Sequence, residues 1–348
     1  MKIPNKAKTA LALAAGAALI AVADASLGPF AVRILNLSAI YVILALSLNL
    51  LNGFTGLFSL GHAGFMAVGA YVSALLTMSP AQKDMNFFLT PIVPWLREVQ
   101  LPFLAALLVA GLCAALVGLL IGAPALRLRD DYLAIATLGF AEIIRVLITN
   151  AQPLTNGAQG LKAIPKYSTT WVVWGAAAAA AAFLVLLLRS SYGRTIKAVR
   201  DDEIAAEAMG VNVFRVKVTS FVISSFWAGV GGALLGHMIT TIDPKMFTLM
   251  LTFNILLIVV LGGNGSITGS ILGAIIVTVL MEALRFLDMP MNLLFIRTQG
   301  LPGLRMVIFS LILMIVVLYR QKGLMGTNEF SWDALSSLAR RLGRKGGK

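Results

Sequence analysis

The amino-acid sequence predicts an all-α protein, a polytopic membrane bundle of about ten transmembrane helices with discontinuous or re-entrant segments. Hydrophobic residues make up 59% of the 348 residues, charged residues make up only 12%, and mean hydropathy is +0.89. Globular domains carry about 25% charged residues, so this chain lacks the charge that would cover a water-facing surface. Several apolar runs approach the ~20 residues that span a hydrocarbon core. In this composition such runs satisfy their backbone groups in lipid as helices.

Ten apolar segments are predicted to form these helices. The first five cover residues 10–27, 33–51, 57–78, 101–122 and 132–150. The second five cover residues 171–188, 218–240, 249–261, 267–284 and 303–319. Glycine-rich breaks flank the third segment and the short eighth segment, which favours discontinuous or re-entrant helices at both places.

The first segment has two interpretations. Lys2, Lys6 and Lys8 precede an apolar run that ends in AVADAS, a pattern typical of a cleavable signal peptide. We favour the other interpretation, a first transmembrane helix that extends past Leu27. The topology predicted for the remaining segments is the same in both cases.

Basic residues are distributed unevenly between the two sides of this topology. With the N-terminus inside, eighteen lysines and arginines fall on the cytoplasmic side and nine on the outer side, while Arg145 lies within a span. Cytoplasmic loops of membrane proteins carry this excess of positive charge. The bias predicts a multi-pass protein with an even number of helices and both termini in the cytoplasm.

Two domains follow from this topology. Residues 1–320 are predicted to form a transmembrane domain with a cytoplasmic loop at 189–217, and residues 321–348 a basic cytoplasmic tail. Within the tail, Phe330, Trp332 and Leu335 begin a near-helical apolar spacing among basic residues. This spacing is typical of an amphipathic helix that lies against anionic lipid.

The sequence lacks the constellations of an enzyme or a nucleic-acid-binding protein. The net charge of +13 lies in short loops and at the termini, and aromatic residues do not interleave with it. The single cysteine, Cys113, excludes an intrachain disulfide and a cysteine-based metal cluster. No GxxxxGK[ST] motif is present, so the chain has no P-loop. We therefore expect no catalytic residue, metal or cofactor in this chain; an intramembrane enzyme would have to use Ser59 with His62.

The loop at 189–217 is polar, yet it is patterned as a helix. Asp201, Asp202 and Glu203 suit a helix N-terminus, where carboxylates interact favourably with the dipole. Gly210 suits the C-terminus, so we predict one short helix between Gly193 and Gly210. Its small apolar face consists of Ala205, Ala206, Ala208, Met209 and Val211. Such a face favours docking into a groove on a soluble partner over a solvated connector.

Several blocks of the sequence resemble a known family. The stretch RTIKAVRDDEIAAEAMG (194–210) looks like the EAA-type coupling loop of ABC importer permeases. Four blocks, in the family's order, are similar to the LivM-type permease subunit of branched-chain amino acid importers. They are NLLNGFTGLFSLGHAGFMAVGAY (49–71), LRLRDDYLAIATLGFAEIIR (126–145), the coupling loop through VNVFRVKVTSF (194–221) and VVLGGNGSITGSILGA (259–274), with a weaker fifth, RMVIFSLILMIVVLYRQKGLMG (305–326).

The resemblance implies a permease subunit of the bacterial inner membrane that imports branched-chain or related hydrophobic amino acids. It implies four kinds of molecule around the chain: a LivH-like second permease subunit, two cytosolic ABC ATPases that bind ATP and Mg, a periplasmic amino acid binding protein, and lipid. A permease for urea or a short amide on the same scaffold is the alternative. The coupling residues that it implies are Arg194, Arg200, Asp201, Asp202, Glu203, Ala206, Glu207 and Gly210.

Polar residues within apolar spans are candidates for a substrate path, because each is costly in lipid. The candidates are Asn49, Asn52, Thr55, Ser59, Thr137, Glu142 and Asn254, with Glu282 as a further one. A broken helix around Gly53 and Gly56 would expose backbone groups to a zwitterionic substrate, although close helix packing also accounts for the glycines. Glu142 is expected to face the bundle interior and to pair with Arg145. A structural ion pair and a substrate role both fit that pair.

Overall fold

A computed structural model describes residues 5–26, 28–128, 130–288, 291–293, 296–298, 303–320, 323–326 and 329. Its α-helices, in chain order, are α1 Asn5–Ser26, α2 Pro29–Asn49, α3 His62–Thr77, α4 Pro80–Asn86, α5 Pro94–Arg97, α6 Phe103–Ala125, α7 Asp130–Asn150, α8 Gln152–Thr155, α9 Thr170–Arg189, α10 Ser191–Asp201, α11 Glu203–Ala208, α12 Val213–Ile239, α13 Leu249–Gly262, α14 Ile267–Ala283 and α15 Leu304–Tyr319. A π-helical turn, Leu50–Thr55, extends α2. Turns of 3-10 helix cover Gly157–Gln159, Pro244–Met246 and Leu284–Asp288.

Each predicted apolar segment contains an α-helix, which confirms the all-α class of a polytopic membrane bundle. Among the described residues, six helical stretches are long and apolar enough to cross a membrane: Pro29–Thr55, Phe103–Ala125, Tyr132–Asn150, Thr170–Arg189, Val213–Ile239 and Pro244–Gly262. Helix α3 is shorter, because it begins at His62 and not at the predicted residue 57. The third segment is therefore discontinuous, as its flanking glycines indicated.

Helix α12 lies at the centre of the bundle and packs against α2, α3 and α6. Glycines allow the backbones of α3 and α12 to touch. A Cβ atom on Gly232 of α12 would lie 2.1 Å from the carbonyl oxygen of Met66 in α3. One on Gly69 of α3 would lie 2.0 Å from the carbonyl oxygen of Gly229. Small residues mediate such close crossings between membrane helices.

A buried lysine orders the connection between α3 and α6. The Nζ atom of Lys83 donates to the carbonyl oxygens of Leu96 at 2.8 Å and Val99 at 2.6 Å, and its side chain has no exposed surface. This burial lowers the pKa of Lys83. Beside it, Arg97 forms a bidentate pair with Asp84 at 2.9 and 2.7 Å, and these hydrogen bonds lower the pKa of the Asp84 carboxyl. The connection is an ordered cap over one end of the bundle.

A short ribbon near the C-terminal end departs from the purely helical expectation. Strands β1 Met291–Leu293 and β2 Ile296–Thr298 pair antiparallel, with Asn292 opposite Arg297. The residues of β1, Met-Asn-Leu, alternate apolar and polar side chains, which is the period of a strand, whereas those of β2, Ile-Arg-Thr, do not. Hydropathy alone does not predict this ribbon.

The first residues of the predicted tail are held against the bundle. The amides of Leu324 and Met325 donate to the last two carbonyl oxygens of α13 at 2.8 and 3.1 Å. The carboxylate of Glu329 accepts from the first two amides of α14 at 2.7 and 3.1 Å. The amphipathic helix predicted from Phe330 onwards lies outside the described residues.

Candidate functional site

Helix α2 ends in a π-helical turn, and residues 56–61 are non-helical before α3 begins. The hydroxyl of Thr55 donates to the carbonyl oxygen of Leu50 at 2.7 Å, five residues back, which suits the wider turn. Gly56 ends the turn at φ +82°, a left-handed conformation that glycine adopts without a steric cost. Single π turns of this kind occur frequently at functional sites.

We call residues 56–61 the helix break. Side chains from three helical segments accept hydrogen bonds from backbone amides within it and at the start of α3. Thr137 of α7 accepts from the amide of Leu60 at 3.0 Å, and Thr252 of α13 accepts from the second amide of α3 at 3.1 Å. Asn52 of the π turn accepts from the amide of Ser59 at 3.4 Å. The first amides of a helix lack partners in the helix, and lipid offers none. The predicted candidates Asn52, Ser59 and Thr137 therefore meet at one place.

Two features of the break were missed by sequence reasoning. Thr252 is a lone threonine in an apolar helix, and only the fold shows that its hydroxyl faces the start of α3. The Nδ2 group of Asn52 is buried and has no hydrogen-bond partner among the described residues. An unsatisfied buried donor costs ~1–3 kcal/mol. Asn52 is thus the candidate at the break with unused hydrogen-bonding capacity.

Asn49 has no exposed surface and ties α2 to the turn between α13 and α14. Its Nδ2 donates to the carbonyl oxygen of Ser266 at 2.9 Å and to the hydroxyl of Ser270 at 2.7 Å. Its Oδ1 accepts from the amide of Gly265 at 2.9 Å. Gly53 lies against the same turn, since a Cβ atom there would be 2.3 Å from the nitrogen of Gly265. In this conformation Asn49 is a structural clamp, and its place on the substrate path stays a prediction.

Glu142 does not face the interior of the single-chain bundle, contrary to expectation. Its side chain is 42% exposed on the peripheral helix α7, and it forms the predicted pair with Arg145 at 2.7 Å. The expectation was wrong because hydropathy does not show which face of a helix packs. A charge near the centre of a span costs ~2.5–3.5 kcal/mol in lipid. This face of α7 therefore suits a protein neighbour or a water-filled path.

The other two acidic or amide candidates lie apart from the break. Asn254 of α13 is partly exposed, and Glu282 of α14 pairs with Arg285 at 2.7 Å. Neither residue takes part in the hydrogen bonds that surround residues 56–61. A path role for Asn254 stays a prediction.

The serine and histidine that an intramembrane enzyme would need do not pair. The Nε2 atom of His62 lies 2.7 Å from the hydroxyl of Ser47, whereas the hydroxyl of Ser59 accepts from the amide of Gly61 at 3.4 Å. His62 and Ser59 are both buried. His237 likewise bonds its neighbours, with Nε2 2.8 Å from Ser73. Both histidines hold helices together.

The loop at 189–217 contains two helices, not the single helix predicted. Helix α10 ends at Asp201, and the extended Asp202 caps α11 by accepting from the amide of Ala205 at 3.0 Å. Gly193 does not delimit a helix; it lies in the first turn of α10, where a Cβ atom would be 2.4 Å from the backbone of α9. Gly210, at φ +83°, does end α11 in the left-handed conformation expected of it.

The apolar face of the loop also differs from the prediction. Ala206 is buried, while Ile204 and Met209 are 82% and 85% exposed. Glu203 pairs with Lys217 of α12 at 2.5 Å and so fixes α11 against the bundle. We call Ile204 and Met209 the docking pair, because both are large apolar side chains exposed on a polar loop. Neither belongs to the coupling residues implied by the resemblance, of which the exposed ones are Arg194, Asp201, Asp202, Glu207 and Gly210.

Arg200, near the end of α10, connects this loop to the helix break. Its Nη1 donates to the carbonyl oxygen of Gly53 at 3.2 Å. Its Nε and Nη2 donate to one oxygen of Asp201 at 2.9 and 2.7 Å, which orients the guanidinium group. A Cβ atom on Gly56 would lie 3.1 Å from the side chain of Arg200. A residue implied in coupling thus contacts the segment predicted to line the path.

Comparisons with known proteins show which family this chain matches. The family model described as "Branched-chain amino acid transport system / permease component" matches residues 30–318. The high-affinity branched-chain amino acid transport system permease protein LivM of Escherichia coli is 36% identical over 288 residues, which are 73% of this chain and 63% of that protein. The probable LivM permease of Methanocaldococcus jannaschii is 24% identical over 317 residues, which are 82% and 90% of the two chains. No solved structure matches.

A second kind of relative is more distant. The LivH permease protein of Salmonella typhimurium is 23% identical over 262 residues, covering 70% of this chain and 81% of that protein. The chain spans less than two thirds of the length of the E. coli LivM protein. The family model nevertheless includes the helix break, α7 and the loop at 189–217. The chain therefore belongs to the family of permease components of branched-chain amino acid transport systems.

Proposed function

We propose that this chain is a membrane-spanning permease subunit of an ABC importer for branched-chain or related hydrophobic amino acids. Its proposed partners are a LivH-like second permease subunit, two cytosolic ATPases that bind ATP and Mg, and a periplasmic amino acid binding protein. The chain lies in the bacterial inner membrane with both termini in the cytoplasm, so that the loop at 189–217 meets the ATPases. Their motion switches the bundle between outward and inward access.

The observation that carries this proposal is the geometry of the loop. The docking pair points away from the bundle, and α11 is too short to bury it. A groove on an ATPase would cover Ile204 and Met209. Any movement of α10 would reach Gly53 through Arg200, whose guanidinium group spans the gap. Because the chain has no P-loop, the energy for that movement must come from a partner.

The outward ion pair on α7 supports a second permease subunit. Glu142 and Arg145 are 42% and 32% exposed, beside the exposed apolar side chains of Ile143 and Leu147 on the same helix. In lipid the pair would be costly. A neighbouring permease subunit against this face would place the pair in protein or beside a shared path.

Uptake of L-leucine by the assembled system is the expected activity. Cells that lack other leucine uptake and express the chain with its partners should accumulate radiolabelled L-leucine, and cells without this chain should not. A ribose import permease of Haemophilus influenzae is 23% identical over 205 residues, so related sequences occur in permeases named for other solutes. Uptake of labelled urea in place of leucine would support the short-amide alternative. Uptake of neither would contradict the proposal.

A double substitution of the docking pair, Ile204→Asp with Met209→Asp, should weaken binding of the ATPases about tenfold or more, because each carboxylate would be buried without a partner. The readout is co-purification of the ATPases with tagged permease from detergent. The bundle should remain folded, because both side chains are exposed.

The matched control is Met85→Asp in α4. Met85 is 77% exposed, close to the 85% of Met209, but it belongs to the connection predicted on the opposite side of the membrane. This variant should retain the ATPases fully. Equal retention by the docking-pair variant would show that the ATPases bind elsewhere.

A further inference from the structure

Two adjoining cavities lie where α1 and α12 end and where α2 and α9 begin. The larger holds about 600 Å³ and the smaller about 220 Å³. Arg33, Met238 and Ile239 line both cavities, so the two spaces share a wall. In the predicted topology these helix ends face the outside, from which an importer receives its substrate.

The larger cavity presents groups of both charges. Asp24 lies on one side, where it accepts from the hydroxyl of Thr170 at 2.6 Å. Thr170 in turn accepts from the Nδ2 of Asn36 at 3.2 Å, and this chain of hydrogen bonds orients the carboxylate. Arg33 and Lys166 also line the cavity, and within the described part of the chain neither side chain forms a hydrogen bond or an ion pair.

Asn36 supplies an independent indication of a ligand. It lines the larger cavity, its residue is only 7% exposed, and its Oδ1 has no hydrogen-bond partner among the described residues. Buried carbonyl oxygens are almost always paired in folded proteins. Since Nδ2 is already occupied by Thr170, the unused capacity is that of an acceptor. The oxygen is itself buried, so an ammonium group in the cavity would satisfy it after a rotation of the Asn36 side chain towards the cavity.

The smaller cavity is mostly apolar, with Arg33 and Tyr41 as the polar residues of its wall. Leu37, Leu235, Phe247 and Leu251 contribute to its wall beside Met238 and Ile239. Its 220 Å³ lies below the roughly 300–1,000 Å³ of pockets that hold a whole ligand. The space therefore suits one apolar side chain of a molecule whose polar part lies in the larger cavity.

We propose that the two cavities together form an outer binding site for an α-amino acid with an apolar side chain. Asp24 and the Oδ1 of Asn36 accept from its ammonium group. Arg33 and Lys166 bind its carboxylate, and the smaller cavity holds its side chain. The identity of the ligand rests on the proposed function, whereas the site itself rests on the cavities and their charges.

Direct binding of L-leucine tests the site. The assembled permease and ATPase complex, without binding protein, is placed in nanodiscs of phosphatidylglycerol and titrated with labelled L-leucine. Arg33→Gln and Lys166→Gln should each weaken binding about tenfold, the loss expected for one charge-assisted contact. Lys162→Gln is the matched control, because Lys162 is an exposed lysine of the same loop that does not line the cavities. It should bind as the wild type does.

Ligand analogues separate a specific role from a general loss of structure. 3-Methylbutylamine, which is leucine without its carboxylate, should bind the wild type and the Arg33→Gln variant equally weakly. Asp24→Asn should affect binding of this amine but not of 4-methylpentanoate, which lacks the ammonium group. If the variants lose both analogues in parallel, the residues act through structure and the assignment of roles is wrong.

Three further outcomes distinguish failure of the site from failure of the proposed function. If phosphatidylethanolamine in the nanodisc abolishes leucine binding and stays bound to the wild type but not to the Arg33→Gln variant, the site holds a lipid headgroup. If cells import leucine while Arg33→Gln and Lys166→Gln bind and import it normally, the site is wrong and the proposed function stands. If cells that express the wild-type chain with its partners import no leucine at all, the proposed function is wrong.

Discussion

The Gly232→Ala variant is expected to lose about 3 kcal/mol of its free energy of unfolding, at the upper end of the cost of overpacking a core. The added methyl group would lie 2.1 Å from the carbonyl oxygen of Met66. That oxygen belongs to the backbone of α3, so no rotamer change can relieve the contact and the two helices must separate. Because α12 is central, the loss should extend through the bundle. Thermal unfolding of the detergent-solubilised protein, followed by tryptophan fluorescence, measures it.

Gly175→Ala provides the control with the same added methyl group. Gly175 lies in the peripheral helix α9, and a Cβ atom there meets nothing within 4 Å among the described residues. This variant should unfold at the temperature of the wild type and elute as a single species. A Gly232→Ala protein that behaves identically would show that α3 and α12 do not cross at backbone contact.

The ten helical segments were predictable because hydropathy is a local property of the sequence. The residues at which these helices begin and end were harder to predict. Gly53 and Gly56 indicated a break, but an apolar run after a glycine is equally compatible with a helix and with an irregular loop. The helix was therefore predicted to start at residue 57, whereas α3 starts at His62. There Thr252 of α13 accepts from an amide of its first turn.

The helix boundaries within the loop at 189–217 were also hard to predict from the sequence. Asp201, Asp202 and Glu203 all suit a helix N-terminus by charge. Only the backbone conformation reveals that Asp202 is the cap and that Asp201 ends the previous helix. The exposure of Ile204 could not be predicted either, because the face of α11 that packs is set by the pairing of Glu203 with Lys217.

Contacts between distant segments were beyond the reach of a single sequence. Asn49 is predicted to line a path, and in the structure both groups of its side-chain amide hold the turn between α13 and α14. Arg200 and Gly53 are 147 residues apart in the chain. Their contact connects two segments that were predicted separately, the coupling loop and the broken helix. A movement of the loop could therefore be passed directly to the helix break.

The Arg200→Gln variant is expected to reduce leucine uptake about tenfold or more while the ATPases remain bound. Glutamine cannot reproduce the three donated bonds that Arg200 makes to Gly53 and Asp201. Hydrogen bonds to a charged group contribute about 1.5–3 kcal/mol, which corresponds to a factor of roughly ten to a hundred. The docking pair is untouched, so the variant should co-purify with the ATPases and still hydrolyse ATP. ATP hydrolysis without leucine uptake would indicate that the loop no longer transmits the motion of the ATPases to the bundle.

Arg189→Gln separates this effect from a simple loss of positive charge. Arg189 is an exposed arginine at the end of α9 and the first residue of the loop, and its side chain has no hydrogen bond or ion pair within the described residues. Its uptake and ATP hydrolysis should match those of the wild type. Loss of the ATPases from the Arg200→Gln variant would instead make Arg200 a docking residue. Normal uptake by that variant would show that coupling does not need the contact of Arg200 with Gly53.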